Sequence, residues 1–427
     1  MKFRKVRLYD LCSIVTDYVA NGSFKTLADK VKYLNEGYAR VIRLVDYNNK
    51  YSKKDSIWVS KESYEFLKKS KLYGGEIVLT NVGANLGTVF IAPQLEYPTT
   101  LGPNAIMIKT NENDKYLYYW LKSKNGQNTI KSIVTGSAMP KFNKTDLKNI
   151  EIAIPCIEDQ DKIVEILSKI DKKIELNNQT NDNLQKLVNG LYIKYFVNFD
   201  GYIGEYKDTD LGMIPEIFNV DTLGNVITFS NGYGWNSKDM LDVGSEDTYK
   251  VFKMANINIG GGINKSKTKS WIEKDKTSNL EQYITKKGDI LMCMTDMKNS
   301  GNPLLGHTAL IDKDDEFVIN QRVGIIRCNK GLGYSYIYTM SNLKYFINDI
   351  RSRANSGVQV NLTTKGICDT LVLVPDDNTL NKFQQVAEPL YEKIFNNNNE
   401  NETLEQLRDT LLPKLMNGEI DLDKIEI

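Results

Sequence analysis

The chain carries one long helical text twice, and any fold it adopts must house both copies. Asn181-Asp-Asn-Leu-Gln-Lys-Leu187 returns as Asn401-Glu-Thr-Leu-Glu-Gln-Leu407, inside two helical segments, Asp161 to Phe196 and Lys382 to Met416. Each segment closes a stretch punctuated by glycine and rich in aromatics, and those stretches also echo each other. Gly75-Glu-Ile-Val-Leu recurs as Gly288-Asp-Ile-Leu-Met, and Gly87-Thr-Val-Phe-Ile recurs as Gly306-His-Thr-Ala-Leu. The plan is globule, rod, globule, rod. Such a duplicated chain has pseudo-twofold character, which suits a target with two halves or two copies of one partner.

In the first rod, Ile163, Leu167, Ile170, Ile174, Asn177, Asn181, Leu184, Val188, Leu191 and Tyr195 alternate spacings of four and three, the seam of a coiled coil. The second rod offers a weaker stripe, Leu390, Ile394, Asn397, Asn401, Leu404, Leu407 and Leu411, and its run Asn396 to Asn399 lowers helix propensity. Asparagines nevertheless fall at matching positions, Asn177 with Asn397 and Asn181 with Asn401. A seam asparagine sacrifices stability and fixes register. One narrow apolar stripe of this length must find a partner in water. The two rods are therefore expected to pack antiparallel, with these amides meeting across the seam.

At 427 residues the chain is too long for one ordinary core. It divides into a globule (1–155), a rod (156–198), a second globule (199–375) and a second rod with a tail (376–427). No apolar run approaches the ~20 residues of a membrane span. The opening Met-Lys-Phe-Arg-Lys-Val-Arg lacks the apolar stretch of a secretory signal, so a cytoplasmic protein with no membrane partner is expected. Cys12, Cys156, Cys293, Cys328 and Cys368 form no C-x-x-C pair and read as small buried hydrophobes. His307 is the single histidine, which removes histidine triads and multi-histidine metal sites; its strand-like setting reads as structural.

The net charge of +1 hides a polarity. Residues 1–155 hold 24 basic and 14 acidic side chains, a balance of +10, while residues 376–427 hold 5 and 12, a balance of −7. The first globule alone resembles a polyanion binder. In the second, basic residues gather locally at Lys265, Lys267, Lys269, Lys274 and Lys276. Charge runs are commonly solvated faces, so charge by itself does not establish nucleic-acid binding.

Both globules read as α+β with strongly bent antiparallel sheets. Strand-like Val41-Ile-Arg43-Leu matches Val251-Phe-Lys253-Met, and Asn104-Ala-Ile-Met-Ile-Lys109 matches Arg322-Val-Gly-Ile-Ile-Arg327. Aromatic helices follow near Tyr116 to Leu121 and Tyr334 to Phe346. Phosphate-loop, dinucleotide and G-x-S-x-G signatures are missing, as are the Asn-Pro-Pro-aromatic and Asp-Pro-Pro-aromatic tetrapeptides of amino-methyltransferases. Asp146-Leu-Lys148 and Asp171-Lys-Lys173 fit a nuclease-like D-x-K without the partnering Pro-Asp, a pattern that arises often by chance. No catalytic residue is assigned.

Three segments together resemble one family over nearly the whole chain. Gly136-Ser-Ala-Met-Pro-Lys-Phe-Asn-Lys-Thr-Asp-Leu147, with Ile-Glu-Ile-Ala-Ile-Pro155 and Glu158-Asp-Gln160 after it, is similar to the domain end and helix start of type I restriction-modification specificity subunits, the HsdS family. Asp210-Leu-Gly-Met-Ile-Pro215-Glu and Leu412-Pro-Lys-Leu-Met-Asn-Gly-Glu419 resemble it likewise. The chain departs from the pattern at Gln384-Gln-Val-Ala-Glu-Pro389, where a kink or a later helix start is expected. The resemblance implies two target recognition domains, each reading one part of a bipartite, asymmetric site on double-stranded DNA. It also implies two antiparallel spacer helices that dock two methyltransferase subunits, with restriction/translocase subunits completing a prokaryotic complex. This chain would bind no cofactor or metal. S-adenosylmethionine, ATP and Mg²⁺ would serve the partner subunits. At 1.5 Å per residue a rod spans roughly 50 to 55 Å, enough to hold two readers one or more ~34 to 36 Å DNA turns apart.

Phosphate contacts would then supply general affinity, and polar side chains on loops would reach base edges. The candidates in the first globule are Asn21, Lys25, Arg43, Asn81, Asn85, Lys141, Asn143 and Lys144. Those in the second are Trp235, Asn236, Lys238, Lys253, Asn256, Lys298, Asn299, Gln359, Asn361 and Lys365. Taken singly, each is equally a turn former or a solvated charge. Two other readings fit the duplication: a duplicated nucleic-acid-binding or scaffold protein without restriction-modification partners, and a module with its own metal-dependent nuclease.

Overall fold

The computed structural model describes residues 1–297, 303–328, 331–355, 357 and 359–424. Two compact units emerge, one of Met1–Glu175 with Glu400–Ile427 and the other of Leu176–Asn399. Two helices of 40 residues, Ile157–Phe196 and Asp377–Met416, each give one half to either unit. Both begin earlier than the apolar stripe indicates. The second starts where the Asp376 carboxylate accepts the Asn378 and Thr379 amides, at 3.0 and 3.3 Å, satisfying donors that the first turn cannot. It then continues through Pro389, so the later start expected there is not found. The cause is packing. Phe383, Ala387, Tyr391 and Phe395 are all buried on one face, and a buried phenylalanine contributes roughly 1.5–3 kcal/mol, against the ~3 kcal/mol that an internal proline costs.

In the first unit a four-stranded antiparallel sheet runs in the order Cys12–Asp17, Ala105–Thr110, Ile77–Thr80, Val89–Ile91. Its core is closed by Leu117 and Leu121 of Asp114–Lys122, by Ile163, Val164 and Leu167 of the first long helix, and by Leu412, Leu415 and Met416 of the second. The second unit repeats the sheet as Thr228–Asn231, Val323–Arg327, Ile290–Cys293, Thr308–Leu310. Val188, Tyr192 and Phe196 join Phe383 and Tyr391 in its core. The recurring glycine-acid pair has a local cause. Gly75 and Gly288 hold φ of 94° and 88°, the left-handed region that glycine tolerates. The acid that follows then ties the turn: Glu76 accepts the Tyr73 and Gly74 amides, and Asp289 accepts that of Lys286.

A second sheet flanks the first in each unit, with five strands in one and three in the other. Each includes one parallel pair, Ala39–Ile42 beside Thr99–Leu101 and Thr248–Phe252 beside Phe317–Ile319, within otherwise antiparallel pairing. Short apolar runs carry no sign of strand direction, which is why the sequence reading held only antiparallel sheets.

Within each unit the long helices meet antiparallel. In the first, Arg408 pairs with Asp171 at 2.9 Å and Lys173 with Glu400 at 3.1 Å. In the second, Asn181 donates to Asn398 Oδ1 at 2.9 Å and accepts from Asn397 Nδ2 at 2.8 Å, while Gln185 donates to the Tyr391 hydroxyl at 3.2 Å. Ile163, Leu167, Ile170, Asn177, Asn397 and Asn401 are buried; Ile174, Asn181, Leu184, Leu191, Leu390, Ile394, Leu404 and Leu411 are half-buried. Leu407 is 46 % exposed and lies off the buried face. The second helix buries aromatics one position removed from the expected stripe, Tyr391 rather than Leu390 and Phe395 rather than Ile394, because its neighbour is a sheet domain as well as a helix.

The cysteines also differ from expectation. Only Cys293 is buried, Cys156 is exposed, and the other three are half-buried. His307 is buried, its Nδ1 accepts the Gly260 amide at 3.2 Å, and burial lowers its pKa, a structural histidine. Replacing Asn397 with Ala strips a donor from Asn181 and is expected to cost about 1–3 kcal/mol. The paired change Asn181→Leu with Asn397→Leu should cost less than the two single changes combined. Denaturant unfolding of the four proteins checks this.

Candidate nucleic-acid interface

One hydrogen-bonded frame is built twice at the end of the four-stranded sheet. In the first unit the Asn81 amide donates to Asn104 O at 3.1 Å and the Phe142 amide to Asn81 O at 3.1 Å. In the second, the Met294 amide donates to Arg322 O at 3.1 Å and the Leu362 amide to Met294 O at 2.9 Å. A short capped helix follows each: Asn143 accepts the Asp146 amide at 2.8 Å, and Thr363 accepts the Gly366 amide at 3.0 Å. The helix start is tied to the first sheet strand by Lys144 to Asp17 at 2.8 Å, and by Thr364 to Asn231 at 3.2 Å. Loops 17–25, 81–87, 102–104 and 135–144 thus converge in the first unit. Loops 231–238, 294–297, 319–322 and 359–364 converge in the second.

Over this common frame the exposed side chains differ. Lys25, Asn85 and Lys141 stand exposed in the first unit, and Asn236, Lys238, Gln359 and Lys365 in the second. Lys141 is held by backbone bonds in both directions with Thr135, which fixes the base of a long cationic arm. Asn236 accepts the Lys238 amide at 3.1 Å, ordering that loop locally. Lysines on flexible stems suit phosphate, and exposed amides suit base edges.

Several candidates are committed to the scaffold instead. Trp235 is buried among Val251, Ile272 and Val318, and its indole donates to Ile319 O at 3.0 Å, so it is no exposed reader. Asn256 is fully buried, accepting the Lys253 amide at 2.9 Å and donating to Asn264 O at 3.0 Å. Asn21 donates to Tyr18 O and Ser70 Oγ and accepts the Lys69 amide. Arg43 is spent on Asp46 at 2.9 Å, and its counterpart Lys253 donates to Ser270 Oγ at 2.8 Å. Asn81 ties to Phe142 O, Asn143 caps its helix, Lys144 holds Asp17, and Asn361 accepts from Thr295. In a polar loop, the residue type that contacts DNA is also the type that closes turns, and only coordinates separate the two uses. Lys298 and Asn299 lie outside the described residues.

Exposed residues passed over in the sequence include Phe24 at 82 %, Met139 at 62 % and Arg322. The first two sit in loops already singled out, where the candidates chosen were polar side chains and Trp235. Among the described residues, no group of three or more His, Cys, Asp or Glu side chains is placed to hold a metal, and no helix is long and apolar enough to cross a membrane.

One frame is thus built twice, each time under unlike loops. A family model described as the type I restriction modification DNA specificity domain matches residues 2–186. The specificity subunit of type I restriction enzyme MjaIX from Methanocaldococcus jannaschii is 27% identical over 360 residues, covering 82% of this chain and 79% of that protein. That of HindI from Haemophilus influenzae is 21% identical over 372 residues, covering 74% and 76%. A crystal structure of a type I restriction-modification S subunit from M. genitalium shares the fold, with a TM-score of 0.55 at 18% identity over 97% of this chain and 96% of that one. Residues 2–186 thus match that specificity domain, and over most of its length the chain is similar to specificity subunits of type I restriction enzymes.

The geometry separates two kinds of substitution. Lys141→Ala should weaken binding on all DNA sequences alike and reduce the salt slope of log K by about one. Asn85→Ala should change preference within one half of the site and leave that slope unaltered. Binding titrations across salt and a base-substituted duplex panel measure both.

Proposed function

We propose that this chain is the DNA-reading, non-catalytic subunit of a type I restriction-modification complex in a prokaryotic cytoplasm. Each unit reads one half of a bipartite site through the loops at the end of its four-stranded sheet. The observation that carries this reading is the doubled frame: Asn81, Asn104 and Phe142 in one unit and Met294, Arg322 and Leu362 in the other make the same backbone bonds, while the exposed side chains around them differ. A scaffold held constant under divergent loops fits two readers of unlike sequence, so the two half-sites differ and the site is asymmetric.

The remaining candidates divide by exposure. Lys25, Lys141, Lys238 and Lys365 serve phosphates, and Asn85, Asn236 and Gln359 reach base edges. Arg43, Lys253, Asn21, Asn256 and Trp235 shape the loops from beneath. The long helices set the spacer and dock two modification subunits. Those subunits supply methylation with S-adenosylmethionine, and restriction/translocase subunits supply ATP- and Mg²⁺-dependent steps. The charge of the first globule, +10 over residues 1–155, supports its placement on a polyanion.

Exchange of residues 1–150 for those of a family relative tests the reading. The recognised sequence should change in one half only, with the other half and the spacer kept. A change in both halves, or in neither, contradicts it.

A further inference from the structure

Phe24 is out of place on a polar, cationic loop. It opens the helix Phe24–Lys30, whose cap Ser23 accepts the Thr26 amide at 3.2 Å, so its backbone is fixed while its side chain remains 82 % exposed. It borders a recess of about 170 Å³, walled by Tyr18, Val19, Asn81, Pro103 and Asn104, on the frame described above. Pockets for small molecules and cofactors measure roughly 300–1,000 Å³, so this one suits the edge of a single ring rather than a nucleotide. Exposed Lys25 stands next to it.

A phenyl ring neither pairs with phosphate nor hydrogen-bonds a base edge. The apolar part of a duplex is the interior of its base stack, which protruding Phe, Leu, Ile or Met side chains enter by partly unstacking a step. In the corresponding loop of the second unit Trp235 is buried at 9 % exposure, and Tyr233, at 38 %, lies against the rings of Trp235 and Tyr283. Among the described residues, neither aromatic of that loop stands out as far as Phe24 does.

We propose that Phe24 is a wedge that opens one base step in the half-site read by the first unit, with the recess beside it receiving the edge of the displaced base. This rests on the DNA-reading assignment above and adds where and how the duplex is distorted. Opening a step raises the weight of local stacking strength, so discrimination at that step comes from deformability rather than from base-edge contacts.

The test uses the full chain assembled with its modification subunits and the mapped site, with 2-aminopurine placed at each step in turn, the methylated adenine excluded. The expected result is a fluorescence rise at one step, in the half-site assigned to the first unit. Phe24→Ala should abolish the rise and weaken binding about 10-fold, within the range for one base stacked on an aromatic ring. A mismatch at that step should restore most of the affinity lost by Phe24→Ala, which loss of a merely structural residue would not allow. Site-specific binding with equal fluorescence for Phe24 and Phe24→Ala overturns the wedge alone. Absence of site-specific binding by the unaltered assembly overturns the reading beneath it.

Discussion

Two 40-residue helices with narrow apolar faces must each be covered, and the rest of the molecule is arranged around that demand. Coverage comes from two sources. Where the helices face each other they meet antiparallel, through Asp171 with Arg408 in one unit and Asn181 with Asn397 and Asn398 in the other. Where they face a sheet domain they enter its core, through Ile163 and Leu167 at one end and Val188, Tyr192 and Phe196 at the other. The first unit's core is therefore not a single run of chain. The first unit needs Leu412, Leu415 and Met416 from the far end of the sequence, and the second needs Phe383 and Tyr391 beside Tyr192. The polar pairs contribute differently from the aromatics. A buried amide pair contributes little net stability but penalises a shifted register, since each amide left unmatched costs about 1–3 kcal/mol. Tyr192, Phe196, Tyr336 and Phe383 form an aromatic cluster in the second core, in tilted and edge-to-face contacts between 4.9 and 6.4 Å.

With the cores fixed this way, the sheet ends are released to vary. The backbone bonds that close each reading end are the same in both units, and so are the helix caps that follow them. What changes is the side chain standing above: Lys144 against Thr364, Asp17 against Asn231, Asn81 against Met294. Duplication followed by divergence at the loops gives two readers that share a scaffold and need not share a sequence preference. The basic excess, +10, is confined to residues 1–155. In the second unit Lys250 and Lys265 pair with Glu316.

Periodicity exposed the helices, the duplication and the α+β character of the globules because those features repeat over many residues. Motifs carried the family, through the segments around Gly136, Asp210 and Leu412. The path of the second helix through Pro389 was hidden, because tertiary burial of Phe383, Ala387, Tyr391 and Phe395 outweighs local propensity and no window of sequence weighs the two. The parallel strand pairs were hidden because three-residue runs such as Phe317–Ile319 carry no direction. Site residues were the least legible. Asn256 and Asn85 look alike in text, yet one is sealed under a loop by three hydrogen bonds and the other stands exposed. Phe24 carries no polar group to mark it in the text, and only its exposure, 82 %, sets it apart from a core phenylalanine.

The central claim is that one chain reads two unlike half-sites held at a fixed spacing while partner subunits modify the DNA. Sequencing-based mapping of methylated adenines in a host with and without this gene tests it most directly. The account predicts a single motif made of two different specified parts separated by an unspecified spacer of constant length, methylated only when the gene is present. A continuous motif, a spacer of varying length, or methylation unchanged by loss of the gene would contradict it.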